Sequence, residues 1–201
     1  MARDFVTIAN LAVGFVGDDD QIREPSEDSK PARTVRAAWE SVRQFVICAA
    51  EWNFAMRRAW LPAREISIEK PVIGFQNAYP LPHDCLRFVE LLELQDVRYQ
   101  IENGEILADW TGALPIRYEV DVAETALWSP EFVEAFSMRL AWQIADRLSG
   151  DKQRKQQAKD AYDGVIRKAR GTDARQNPPR THPETDWSRA RRAGTARAPN
   201  T

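Results

Sequence analysis

Ser129-Pro130-Glu131 opens the stretch that most restricts how this chain can fold. A serine at a helix N-cap accepts a hydrogen bond from an amide of the first turn. Proline suits the next position, where a missing amide costs nothing, and glutamate suits the positive end of the helix dipole. Behind them Phe132, Phe136, Leu140, Ile144 and Leu148 repeat every four residues, flanked by Ala141, Trp142 and Ala145. Trp128 is placed to staple onto Val133, and Ser149-Gly150 ends the run. A helix over about 130–149 that is apolar around much of its circumference needs cover on several sides. The rest of the chain has to supply it.

Three further helices are legible. Phe5, Ile8, Ala12 and Phe15 fall at three- and four-residue spacing, predicting a helix over about 3–16 that Gly14 and Gly17 close. Ser29 as N-cap and Pro31 in the first turn start a second helix over about 30–53. Its stripe is Val35, Trp39, Val42, Val46 and Ala49. Residues 151–170 make a fourth, with a thin stripe (Ala158, Ala161, Tyr162, Val165, Ile166, Ala169) and a strongly basic remainder. Around Glu51-Trp52-Asn53-Phe54-Ala55 and Trp60-Leu61-Pro62, the aromatic side chains are expected to pack, with Arg57 and Arg58 a solvated edge.

Between the second and third helices the period changes to two. Tyr79-Pro80-Leu81-Pro82 is stiff and extended, because each proline fixes its own φ and restricts its predecessor. Val97, Tyr99 and Ile101 then alternate with Arg98, Gln100 and Glu102, and Asn103-Gly104 is a strong hairpin signal. Ile116, Tyr118, Val120 and Val122 alternate with Arg117, Glu119 and Asp121. The pattern predicts a small antiparallel meander over about 79–122 with one buried face. The fold class is thus α+β and mainly helical: a bundle of about four helices, a β-meander inserted between helices two and three, and an extended C-terminal tail. Residues 1–170 form one domain and 171–201 the tail.

Charge divides the chain the same way. The net −2 combines 15 Lys/Arg against 24 Asp/Glu in residues 1–150 with 13 against 6 in residues 151–201, a balance of −9 and +7. An acidic body with a basic tail suggests an acidic partner for the tail. Beyond Gly171 the prolines and scarce aliphatic residues leave too little apolar surface to offset ordering entropy. Trp187, with Arg189, Arg191 and Arg192 beside it, stands out there as an interface anchor.

Catalytic and cofactor signals are few. The chain has no phosphate-cradling glycine loop and no HExxH or GxSxG. His83-Asp84-Cys85 combines base, acid and nucleophile types, yet neighbours on a strand point to opposite faces. Asp84 is expected to bond local amides there and Cys85 to pack. Asp18-Asp19-Asp20 lacks the calcium-loop pattern and reads as a solvated loop. Cys48 and Cys85 lack metal-ligand spacing and are expected to be reduced packing residues. No cofactor, no metal and no catalysis are expected. No apolar run approaches the roughly 20 residues of a membrane span. The N-terminus lacks the pattern of a signal peptide, so synthesis in the cytoplasm is the expectation.

Several of these segments, taken together and in order, resemble one family. They are Glu51-Trp52-Asn53-Phe54-Ala55 with Trp60-Leu61-Pro62, Tyr79-Pro80-Leu81-Pro82-His83-Asp84-Cys85-Leu86-Arg87, Leu127-Trp128-Ser129-Pro130-Glu131-Phe132, Arg139-Leu140-Ala141-Trp142 and Leu148-Ser149-Gly150. The family is the head-to-tail adaptors of tailed bacteriophages, which includes tail tubular protein A of short-tailed phages and the adaptors of gene transfer agents. The resemblance covers roughly residues 3–170. It implies a structural virion protein at the head–tail junction, made in the bacterial host cytoplasm. It also implies a dodecameric ring of this chain below the portal protein, extending the DNA channel and giving the next tail component (nozzle, stopper or tail tube protein) its docking platform. Genomic DNA would pass without sequence recognition. The tail residues Trp187, Arg189, Arg191 and Arg192 then become a portal contact. Tyr99, Asn103, Gly104 and Trp110 of the β module become a subunit or tail-side interface. The alternative is a nucleic-acid-binding protein using the basic C-terminal quarter, which charge favours but no recognition motif supports.

Overall fold

The computed structural model describes residues 4–17, 20–67, 72–94 and 96–176, so Asp18, Asp19 and the anchor candidates Trp187, Arg189, Arg191 and Arg192 lie outside the described residues. The fold is α+β, with four helices and two small antiparallel sheets. The helices are α1 (Phe5–Phe15), α2 (Lys30–Ala49), α3 (Pro130–Leu148) and α4 (Lys152–Gln176).

Local chemistry sets most helix ends. Ser29 Oγ accepts from the Ala32 amide at 3.3 Å, and Ser129 Oγ from the Phe132 amide at 3.2 Å. Asp4 caps α1 through the Thr7 amide at 2.7 Å. Helix α2 stops at Ala49, short of the expected 53, because Ala50 is already extended and a 3-10 turn takes Asn53–Ala55. Helix α4 runs past Gly171 to Gln176. One glycine costs a helix only about 1 kcal/mol, and the first proline comes at 178.

Helix α3 is the centre of the bundle, packing against α1, α2 and α4. Phe132, Phe136, Leu140 and Ile144 are buried, together with Ala135, Ala141 and Ala145. The aromatic residues cluster at its N-terminal half. Trp128 stands edge-on to Phe132 at 4.8 Å, Trp39 of α2 edge-on to Phe136 at 4.6 Å, and Trp52 edge-on to Phe132 at 5.1 Å. Two buried indoles also meet carbonyls: Trp52 Nε1 donates to Val46 O and Trp128 Nε1 to Val122 O, both at 2.8 Å.

The β module corrects the sequence reading. Instead of one meander there are two three-stranded sheets. The first has the order β1 (Met56–Leu61), β6 (Leu114–Val120), β3 (Cys85–Leu91). The second has the order β2 (Asn77–Pro80), β5 (Glu105–Ala108), β4 (Tyr99–Glu102). The chain passes back and forth between them. Pro80 ends β2 and Pro82 sits in the turn that sends the chain to the other sheet, since proline cannot donate to a ladder. Gly112, at φ +94°, turns it back before β6. Strand β1 lies before residue 79 and pairs far along the chain, Arg57 with Tyr118 and Leu61 with Leu114.

The hairpin holds as expected: Asn103 and Gly104 have φ of 48° and 74°, and Glu102 pairs with Glu105. Its burial does not. Strand β4 is exposed throughout, including Tyr99 and Ile101. Strand β6 is the reverse, a central strand covered on both faces, so Glu119 is buried as well as Ile116, Tyr118 and Val120. The buried acids are matched by arginines. Arg87 on β3 holds Glu119 with two bonds of 2.8 and 3.0 Å, and Arg43 on α2 holds Asp121 with two of 2.6 and 2.7 Å.

Candidate assembly surfaces

The chain exposes a few large apolar side chains, and they fall into distinct places. Helices α1 and α3 cross over an open groove of about 570 Å³. Its walls are Ile8, Leu11 and Phe15 from α1 and Pro130, Val133 and Met138 from α3. Leu11 is 50% exposed although it sits in an apolar helix. The α1 stripe explains this: Ile8, Ala9, Ala12 and Val13 turn into the core, and Leu11 falls just outside their arc. Ser137 lines the groove, is 1% exposed, and its Oγ has no hydrogen-bond partner among the described residues. At the rim Glu134 is exposed, with Glu131 one turn before it.

The second place is the edge strand β1. Ala59 and Leu61 turn toward the core, and the alternation sends Arg58 and Trp60 outward. Trp60 is 69% exposed, against the expectation that it packs. Its indole N–H has no partner among the described residues, unlike those of Trp52, Trp110 and Trp128. Arg57 and Arg58 are exposed beside it, as expected, and neither has a carboxylate partner among the described residues. The signal for Trp60 was present in the sequence: read with period two, Met56-Arg57-Arg58-Ala59-Trp60-Leu61 puts Trp60 on the face of Arg58, opposite that of Ala59 and Leu61.

The third place is the β4–β5 hairpin. It separates the four β-module residues singled out in the sequence: Asn103 and Gly104 form its turn, while Tyr99, opposite Ala108, lies at its open end. Tyr99 stands edge-on to Phe88 at 5.6 Å. Trp110 lies just beyond β5 at the same open end as Tyr99 and is half-buried. Its Nε1 donates to Ala113 O at 3.2 Å, and its carbonyl accepts from Asn77 and Tyr79 at 2.8 and 2.7 Å. Those bonds make it a fastener between strands.

The basic helix α4 spends much of its charge locally. Lys155 pairs with Asp146, Lys159 with Asp163 and Arg154 with Asp151. Arg170 Nε donates to Ala49 O at 2.9 Å. Arg139 on α3 lies over the rings of Phe45 and Trp142, 4.7 and 4.4 Å from their centroids, and burial pulls its pKa down.

His83 and Asp84 occupy the turn into β3, closed by the Cys85 amide donating to Pro82 O at 2.9 Å. Burial pushes the Cys85 and Cys48 thiols above the usual value, which keeps them protonated and poor nucleophiles. Both cysteines are unpaired. No cluster of His, Cys, Asp and Glu among the described residues is arranged to hold a metal ion. No helix among them is long and apolar enough to cross a membrane.

Compared with protein-family models and with curated proteins, the chain matches none.

Proposed function

We propose that this chain is a structural head-to-tail adaptor of a tailed phage or phage-like particle. It forms a dodecameric ring below the portal protein, extends the DNA channel and offers a platform to the next tail component. One observation carries the reading: a single chain presents two dissimilar apolar surfaces, a groove between α1 and α3 and an aromatic edge at Trp60. Unlike surfaces on one subunit fit a heterologous contact, and such contacts form rings when the rotation from copy to copy closes. The segments that resemble adaptors sit where the fold needs them. Trp52 and Trp128 pack on Phe132 of α3, and Tyr79-Pro80-Leu81-Pro82 steers the chain between the two sheets.

The proposed partners are the portal protein, other copies of this chain, the next tail component and genomic DNA passing without sequence recognition; its place is the virion. The seven Trp residues weigh less toward assembly than their number suggests, because Trp39, Trp52 and Trp128 are buried in the core. Binding of nucleic acid through the basic quarter draws less support, because Asp146 of α3, Asp151 before α4 and Asp163 within it pair with three of the α4 cations.

Incubation with isolated portal rings tests the proposal. Electron microscopy should show added density with the symmetry of the ring on one portal face. Deleting residues 177–201, which leaves α4 whole, should abolish it if Trp187 and its arginines are the portal anchor. A salt-sensitive shift of duplex DNA with no portal binding would overturn the adaptor reading in favour of the nucleic-acid one.

A further inference from the structure

We propose that Trp60 of one copy inserts into the α1–α3 groove of the next, an inference that rests on the adaptor reading and names its subunit contact. Each side supplies what the other lacks. Trp60 brings a large apolar ring, 69% exposed, and an indole N–H with no partner among the described residues. The groove brings apolar walls from Leu11, Val133 and Met138. Ser137 also lines it, its buried Oγ without a hydrogen-bond partner among the described residues. The volume of about 570 Å³ lies within the range of clefts that enclose whole ligands.

Charge agrees with the fit. Arg58 shares the outward face of β1 with Trp60, Glu134 lines the groove with Glu131 one turn before it, and none of the three has an ion-pair partner of its own among the described residues. In the docked arrangement Arg58 faces the two glutamates beside a buried tryptophan, an apolar anchor with a charged rim. The two surfaces belong to different elements, β1 and the α1–α3 pair. A contact between them therefore repeats from copy to copy instead of closing a dimer.

Photo-crosslinking of the full chain tests this contact directly. A benzoylphenylalanine in place of Trp60 keeps an aromatic body in the groove. Mixed with isotope-labelled wild-type chain at high concentration, it should form crosslinks between chains that map to α1 and the first half of α3. A labelled chain carrying Leu11→Arg should reduce their yield about thirtyfold, the weakening expected for loss of a hot-spot contact. The Leu11→Arg chain should keep its circular dichroism and melting temperature, since Leu11 is already half exposed. Crosslinks that land on residues 177–201 or on another β1, or no crosslinks between chains, overturn the contact. Portal rings that still recruit the chain in those cases would leave the adaptor reading standing; loss of recruitment as well would remove both.

Discussion

Arg43 on α2 and Asp121 just after β6, 78 residues apart in sequence, meet in a two-point ion pair with Nε–Oδ1 at 2.6 Å and Nη2–Oδ2 at 2.7 Å. Gln44 adds a third bond to Asp121 at 3.1 Å. The pair joins the helical layer to the end of the central strand. Both side chains are mostly buried, so the geometry counts for more than it would on the surface. Asp121→Asn leaves the Arg43 charge half-satisfied and should cost about 2–3 kcal/mol in urea unfolding. Burial raises the Asp121 pKa, but the hydrogen bonds from Arg43 and Gln44 outweigh it and the net shift is downward. A carboxylate with a depressed folded pKa supports stability above its unfolded value and loses that support as pH falls through the folded one. Loss of this contribution should therefore begin only below pH 3.8, and Asp121→Asn should remove that part of the acid transition.

Glu119 should behave in the opposite sense. It is fully buried, and burial pushes its pKa above the usual 4.5 despite the Arg87 fork. Burial also pulls the Arg87 pKa down, yet the Glu119 bonds carry it above its usual value. The burial effect on Glu119 dominates the pair because Arg87 keeps water contact and Glu119 has none. A raised folded pKa means stability that is full below the unfolded value and lost as pH rises through the folded one. Above pH 4.5, wild type should lose stability through this group as pH rises, and Glu119→Gln should flatten that slope. Its cost at pH 7 should be smaller than that of Asp121→Asn, read from the same urea midpoints.

Asn10 ties α1 to the loop before α2. Its Nδ2 donates to Ile22 O and its Oδ1 accepts from the Ile22 amide, both at 2.8 Å, so one side chain closes both bonds of a strand-like pair. Asn10→Ala leaves two backbone groups of a fully covered residue unpaired and should cost about 2 kcal/mol. Hydrogen exchange should show faster exchange at Ile22, with α3 unaffected.

Two tryptophans should respond to substitution in contrasting ways. Trp128 is buried among Trp39, Phe132 and Phe136, so Trp128→Ala should cost about 3–5 kcal/mol. Trp60→Ser should change unfolding free energy by less than about 0.5 kcal/mol, because its ring is largely in water. Denaturant titrations of the two variants measure this. A large loss from Trp60→Ser would make the residue structural and remove its role as a free contact surface.

Helices were the readable part of this sequence because their information is local. Ser29 and Ser129 cap where expected, and Phe132 to Ile144 announces the core helix by spacing alone. The sheets were less legible because their pairing is distant. Met56–Leu61 has no partner nearby and becomes a strand only against Leu114–Val120. Glu119 and Asp121 looked solvent-facing by alternation, and only the fold brings Arg87 and Arg43 to them. Of the contact surfaces, the hairpin at Asn103-Gly104 was visible as a turn. The α1–α3 groove was not, since it depends on how two helices cross.

Electron microscopy of the assembled particle, with a gold label on this chain, tests the central claim most directly. An adaptor predicts label confined to the junction of head and tail, in a ring between the portal and the first tail component. Label absent from particles, or spread over the capsid or the packaged nucleic acid, would contradict it.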